Sequence, residues 1–97
     1  MPIFMLFGKY TSESLKGISS KRTEQAVNLI KKHDGKVISM YAVLGDHDLV
    51  FTLDFPDAEK TMAASVALNK LTGISFTTSP VVEVEKFDRL MAKAKDI

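Results

Sequence analysis

The sequence predicts an α+β fold in which two helices cover one side of a four-stranded antiparallel sheet and a further helix follows at the C-terminal end. Three observations lead there. Apolar runs of strand length alternate with segments of helical period in the order strand, helix, strand, strand, helix, strand. The middle two strands are joined only by Gly45-Asp46-His47-Asp48, too short for a crossover, so they form an antiparallel hairpin. The chain has 97 residues and is 45% hydrophobic, which suits one domain over residues 1–97 and leaves no room for a second.

The first strand is the continuous apolar run Ile3 to Tyr10. Thr11 or Ser12 then caps a short helical turn carrying Leu15 and Ile18, and Ser19 or Ser20 caps a longer helix. In that helix Thr23, Ala26, Val27 and Ile30 recur at three- and four-residue spacing, with Leu29 widening the stripe. Asp34-Gly35 closes it, glycine being expected to take the left-handed conformation. Val37 to Leu44 and Leu49 to Phe55 read as the hairpin strands. Pro56-Asp57 opens the next helix, whose apolar side is assigned to Met62, Val66 and Leu71, with alanines keeping it slim and Gly73 ending it. A fourth strand runs from Ile74 towards Phe87 and is interrupted at Ser79-Pro80, and Phe87, Leu90, Met91 and Ala94 mark a terminal amphipathic helix. This order, βαββαβ with a helix appended, is the ferredoxin-like split β-α-β arrangement. Met5, Met40, Met62 and Met91 read as core filler.

Strand faces carry further information. Leu49, Phe51, Leu53 and Phe55 give the third strand one apolar face for the helices to cover, and Asp48, Val50, Thr52 and Asp54 form the other. In the second strand Ile38, Met40, Ala42 and Leu44 alternate with Val37, Ser39, Tyr41 and Val43. The first strand is apolar on both sides, Ile3, Met5 and Phe7 against Phe4 and Leu6. Two helices cover one side of such a sheet, so the other must meet water or a partner, and its mixture of apolar and polar side chains suits a second copy of the chain. A sheet-to-sheet homodimer is therefore expected.

Composition removes several function classes. Thirteen Lys and Arg against twelve Asp and Glu leave a formal charge of +1, which provides no field for a polyanion. The absence of cysteine excludes disulfides, thiolate metal sites and thiol nucleophiles. The strand that would carry the basic-aromatic signature of an RNA-recognition domain reads Asp46-His47-Asp48-Leu49-Val50-Phe51 instead, acidic at its start, so no nucleic-acid partner is expected. The N-terminal apolar run stops at Gly8-Lys9 and lacks a basic lead, and no run spans a bilayer, so no membrane partner and a cytoplasmic location are expected. Neither a dinucleotide-binding nor a P-loop motif is present; no cofactor and no metal are expected, since one histidine with two aspartates lacks the further ligand a transition-metal site requires.

The residues also resemble a family. Lys9-Tyr10-Thr11 at the end of the first strand, Gly17-Ile18, Asp34-Gly35 before the second strand, Tyr41 within it, the Gly45-Asp46-His47-Asp48 hairpin, Phe55-Pro56-Asp57 and Phe87 follow the order and spacing of the GYD-domain proteins over nearly the whole chain. The family's Gly-x-Tyr-Asp hairpin has His47 at its tyrosine position here. What the resemblance implies is a βαββαβ fold of the dimeric α/β-barrel superfamily, face-to-face dimers and often higher oligomers; it assigns no activity.

Four residues are candidates for a ligand site: Tyr10, Tyr41, His47 and Asp48. Flanking carboxylates would orient the His47 ring, as a general base requires, whereas the favoured reading makes Gly45 to Asp48 a hairpin turn tied by local hydrogen bonds. On an enclosed face Tyr10 and Tyr41 would donate hydrogen bonds to a small ligand and Lys9 would meet an anion, against the simpler reading of tyrosines packed at an interface. Ser19-Ser20-Lys21-Arg22 resembles an anion-binding helix start but has no glycine-rich loop before it. The leading expectation is a homo-oligomeric, non-enzymatic domain that encloses a small molecule between two sheets. The alternative is a cofactor-independent oxygenase or isomerase, as in some members of the wider superfamily, with His47 and Asp48 as base and Tyr10 or Tyr41 orienting substrate. A third reading is an assembly unit whose oligomer is its function.

Overall fold

A computed structural model of the chain describes residues 2–94. Strands β1 (Ile3–Lys9), β2 (Lys36–Ala42), β3 (Leu49–Asp54) and β4 (Ser75–Val81) form one sheet in the order β2-β3-β1-β4, with every neighbouring pair antiparallel. The helices are α1 (Ser12–Lys16), α2 (Ser20–Lys32), α3 (Ala58–Thr72) and α4 (Val84–Ala94). Helices α2 and α3 pack side by side on one face, over Phe4, Leu6, Phe51, Leu53 and Phe55, with Ala26, Ile30, Ala64 and Leu68 completing the core. The expected ferredoxin-like architecture is thus present. No helix among the described residues is long and apolar enough to cross a membrane.

Local signals set the helix ends. Thr11 and Ser14 cap α1 reciprocally, and the side chains of Ser19 and Asp57 accept the N–H groups of Arg22 and Lys60 at the starts of α2 and α3. At the end of α2 the left-handed residue is Asp34 (φ 63°) rather than Gly35. The N–H of Gly35 reaches Ile30 O and that of Asp34 reaches Lys31 O, the paired bonds of a Schellman closure. Gly35 serves space instead: a Cβ there would lie 2.5 Å from Phe55 Cε1 and 2.8 Å from Ile30 Cγ2. Gly73 does take the left-handed conformation (φ 74°) and closes α3.

Three further expectations are corrected. The simple alternation in β2 fails because the pairing with β3 shifts between Val37 and Ser39. Val37 therefore sits opposite Leu53 and packs on the core with Met40, while Ile38 is 52% exposed. The buried side of α3 is Thr61, Ala64, Leu68 and Thr72, whereas Met62, Val66 and Leu71 are exposed, so Met62 is not core filler. The two threonines are tolerated inside because their hydroxyls donate to Asp57 O and Leu68 O, leaving the methyl groups to the core. The fourth strand stops at Val81, and from Val84 the chain is helical, so Phe87 lies in α4.

Helix α4 buries none of its residues; Val84, Phe87, Leu90 and Met91 are all exposed. The radius of gyration is 15.1 Å, against about 13 Å for a self-contained domain of this length.

Candidate functional site

Among the described residues no helix packs flat against the face of the sheet opposite α2 and α3. Alternation along β1 turns Ile3, Met5 and Phe7 to this side, and the pairing places Thr52 and Ser79 beside Met5, and Val50 and Thr77 beside Phe7. Ser39 and Tyr41 extend the two rows onto β2. The result is an apolar strip along the centre of the sheet, flanked by hydroxyls. At one end of this face Asp54 has a buried Oδ1 with no hydrogen-bond partner among the described residues. A groove runs between the strip and the first turns of α4, lined by Ile3, Met5, Ile38, Thr52, Val84 and Arg89.

The hairpin candidates divide between two tasks. Asp48 Oδ2 accepts the Tyr10 N–H at 2.9 Å and lies 3.8 Å from Lys9 Nζ, while the Asp48 N–H donates to Gly8 O and the Val43 N–H to Asp48 O. Asp48 thus fastens the hairpin to the end of β1. His47 instead lays its ring against Phe7, centroids 4.9 Å apart, at the end of the apolar strip. Among the described residues no hydrogen bond joins His47 to Asp46 or Asp48.

Tyr10 and Tyr41 both line a cavity of about 140 Å³ between the N-terminal end of α2 and the sheet, Tyr41 at its edge, from the β2 position between Met40 and Ala42 that the register turns to the open face. Its floor is apolar, formed by Met40, Leu49, Phe51, Ile74 and Phe76, with the rings of Phe51 and Phe76 5.5 Å apart. Its rim carries Tyr10, Ser19, Arg22 and Thr23. The Arg22 guanidinium donates through Nη1 to Ser14 O and sits 5.9 Å from the centroid of the Tyr10 ring. Two of the four sequence candidates, Tyr10 and Tyr41, therefore share one cavity, while His47 belongs to the open sheet face and Asp48 to the joint between hairpin and β1. Arg22 was visible in the sequence only as part of a basic helix start; that it tops an apolar cavity depends on where α2 lands on the sheet, which no local pattern encodes.

The clear perturbation of ionisation lies elsewhere. Asp34 at the end of α2 and Lys60 at the start of α3 form an ion pair, and the Lys60 ammonium holds the Asp34 carboxyl below its ordinary value while Asp34 raises Lys60. This pair joins the two helices and is remote from both the strip and the cavity.

None of the curated proteins matches the chain. Among solved structures, it is similar to the Mycobacterium tuberculosis leucine response regulatory protein LrpA, at 10% identity and a TM-score of 0.57, over 84% of this chain and 51% of that one. A second solved protein, studied as a glutamate-to-alanine mutant, matches at 10% identity and a TM-score of 0.56, over 84% of this chain and 50% of that one. The chain spans about half the length of these structures, and likeness at such identity concerns the fold alone. The GYD domain model matches residues 4–91, which contain most of α4 and the whole sheet except Ile3. The chain belongs to the GYD domain family.

Proposed function

We propose that the chain is a non-enzymatic binding domain that works as a homodimer, two copies meeting through their open sheet faces to enclose a small molecule. The observation that carries this reading is the pair of unpartnered apolar surfaces, the Ile3-Met5-Phe7 strip and the exposed Phe87-Leu90-Met91 stripe of α4. Within one chain neither is covered: α2 and α3 lie on the other face of the sheet, and α4 reaches the edge of the strip with its first turn while its own apolar stripe stays exposed. In a two-fold dimer each α4 would lie over its partner's sheet, and the hydroxyls flanking the strip would supply the polar contacts of an enclosed site. The unpartnered Asp54 Oδ1 fits the same reading, since a buried carboxylate oxygen is costly without a donor and the facing copy can bring one. A cytoplasmic location belongs to the same proposal.

Size-exclusion chromatography with light scattering tests the assembly: twice the chain mass of 10.7 kDa is expected at micromolar concentration, and a monomer would sink the reading. A thermal-shift metabolite screen backed by native mass spectrometry tests the ligand, and the absence of any hit counts against an enclosed site. The enzymatic alternative receives no comparable support, because the Asp48 carboxylate that would serve His47 is engaged by the Tyr10 N–H.

A further inference from the structure

We propose that the cavity beneath Arg22 is a second binding site, lying within one protomer on the helical side of the sheet, for a small carboxylic acid with a compact aromatic or branched apolar tail. The apolar part follows from size and lining. A space of about 140 Å³ floored by Met40, Leu49, Phe51, Ile74 and Phe76 is close to the roughly 150 Å³ at which an apolar cavity holds one benzene ring. The acid follows from the rim. Arg22 is the one charged side chain in the lining, and among the described residues no carboxylate lies within ion-pair distance of it. Arg22 is half-buried and its guanidinium is held in place, because Nη1 donates to Ser14 O and the group rests beside the Tyr10 ring. A guanidinium has five N–H donors, so the fork that remains can take a carboxylate in two parallel bonds.

Two other features complete the head-group position. The Tyr10 side chain lines the rim, and its hydroxyl makes no hydrogen bond among the described residues, so it can donate to the same anion. The start of the thirteen-residue helix α2 adds a favourable potential for negative charge there. The tail rests on the contiguous rings of Phe51 and Phe76 and displaces nothing charged. No residue of the Ile3-Met5-Phe7 strip lines this cavity, so the site stands or falls independently of the dimer and its enclosed ligand.

The test is titration of isotope-labelled protein with phenylacetate and 4-methylpentanoate, each against its neutral amide, followed by amide chemical shifts. At least one acid is expected to give saturable shifts centred on Arg22, Thr23 and Ala42 and to bind at least about tenfold tighter than its amide. Arg22→Gln should bring the acid down to the affinity of the amide and leave the amide unchanged, and Arg22→Lys should retain part of the difference. Arg22 also holds Ser14 O, so the spectrum of each variant first establishes that it is folded; if Arg22→Gln is not, Ala26→Leu, which fills the cavity and keeps the arginine, should abolish binding of acid and amide alike. The proposal is overturned if neither acid gives saturable shifts up to about 10 mM, a concentration that would reveal even millimolar affinity. Equal affinity for acid and amide, or shifts centred on Met5 and Phe7, would overturn it equally.

Discussion

The exposed stripe of α4 gives the sharpest test of the dimer, through Leu90→Ser. In the single chain Phe87, Leu90 and Met91 are 49%, 45% and 47% exposed, so about half of each side chain remains to be buried. Complete burial of a side chain of this kind contributes about 1.5–3 kcal/mol, which leaves about 0.75–1.5 kcal/mol to be gained at Leu90 when α4 docks. A two-fold dimer contains the position twice, so the substitution removes about 1.5–3 kcal/mol of association, equivalent to a dissociation constant weakened by about 10- to 100-fold. Replacing all three residues by serine removes about 4–9 kcal/mol by the same reckoning, more than a micromolar dimer can lose and remain detectable.

Sedimentation velocity over a hundredfold range of concentration reads the result. Wild type should remain dimeric where Leu90→Ser is in exchange and the triple variant is monomeric. The fold should survive in every case, because no α4 residue is buried. Thermal melting should accordingly change from concentration-dependent in wild type to concentration-independent in the triple variant. Lys93→Ser, on the polar side of the same helix, should leave the dimer as it is. A triple variant with the wild-type dissociation constant would refute the docking of α4, and a monomeric wild type would refute the dimer itself.

Other substitutions test how the scaffold is held. Gly35→Ala would push a Cβ to 2.5 Å from Phe55 and 2.8 Å from Ile30, both fully buried; a loss of about 1–3 kcal/mol is expected by chemical denaturation, and an unchanged midpoint would show that this corner has room. Asp48→Ala should cost about 1–2 kcal/mol by removing the acceptor for the Tyr10 N–H, and Asp48→Asn, which keeps an acceptor oxygen, should cost less. The Asp34–Lys60 pair sets a pH signature. Because the Asp34 carboxyl is held below its ordinary value of 3.8, the stabilisation is present above that pH and disappears as pH falls through the lowered value. Lys60, raised above 10.5, keeps its share below that pH and loses it as pH rises further. Lys60→Met should therefore melt below wild type at neutral pH, and the gap should close in strong acid and shrink in about 1 M salt, where screening acts within about 3 Å. A gap independent of pH would assign the effect to packing instead.

The element order was legible because it rests on local chemistry: caps at Thr11, Ser19 and Asp57, glycine at 73, and the alternation that puts Phe51, Leu53 and Phe55 inward. The errors arose where a neighbour decides. A bulge between Val37 and Ser39 is a property of the pairing with β3, and it moves Val37 inward and Ile38 outward without changing the composition of β2. Thr61 and Thr72 read as polar until the carbonyls one helical turn earlier are seen to take their protons, and only then does the small-residue side of α3 emerge as the one that fits against the sheet. The site divides along the same line. Tyr10 and Tyr41 are thirty-one positions apart, and their shared cavity exists only because β1 ends beside the hairpin that Asp48 fastens to it.

That joint connects the two proposed surfaces physically. Asp48 binds the Tyr10 N–H at the rim of the cavity, and the adjacent His47 rests on Phe7 at the end of the open strip. A partner sheet laid on Phe7 must accommodate or displace the His47 ring, and any rotation of the hairpin is passed to Tyr10 through a 2.9 Å hydrogen bond. A carboxylate held by Arg22 and Tyr10 would bear on the same bond from the other side of the sheet. The hairpin is thus the element through which dimerisation and occupation of the cavity can influence one another, and the size of that influence is the ratio of acid affinities measured in wild type and in the α4 triple variant. Equal affinities would leave two independent surfaces on one sheet; a higher affinity in either state would require, by linkage, that the acid shift the dimer equilibrium by the same factor.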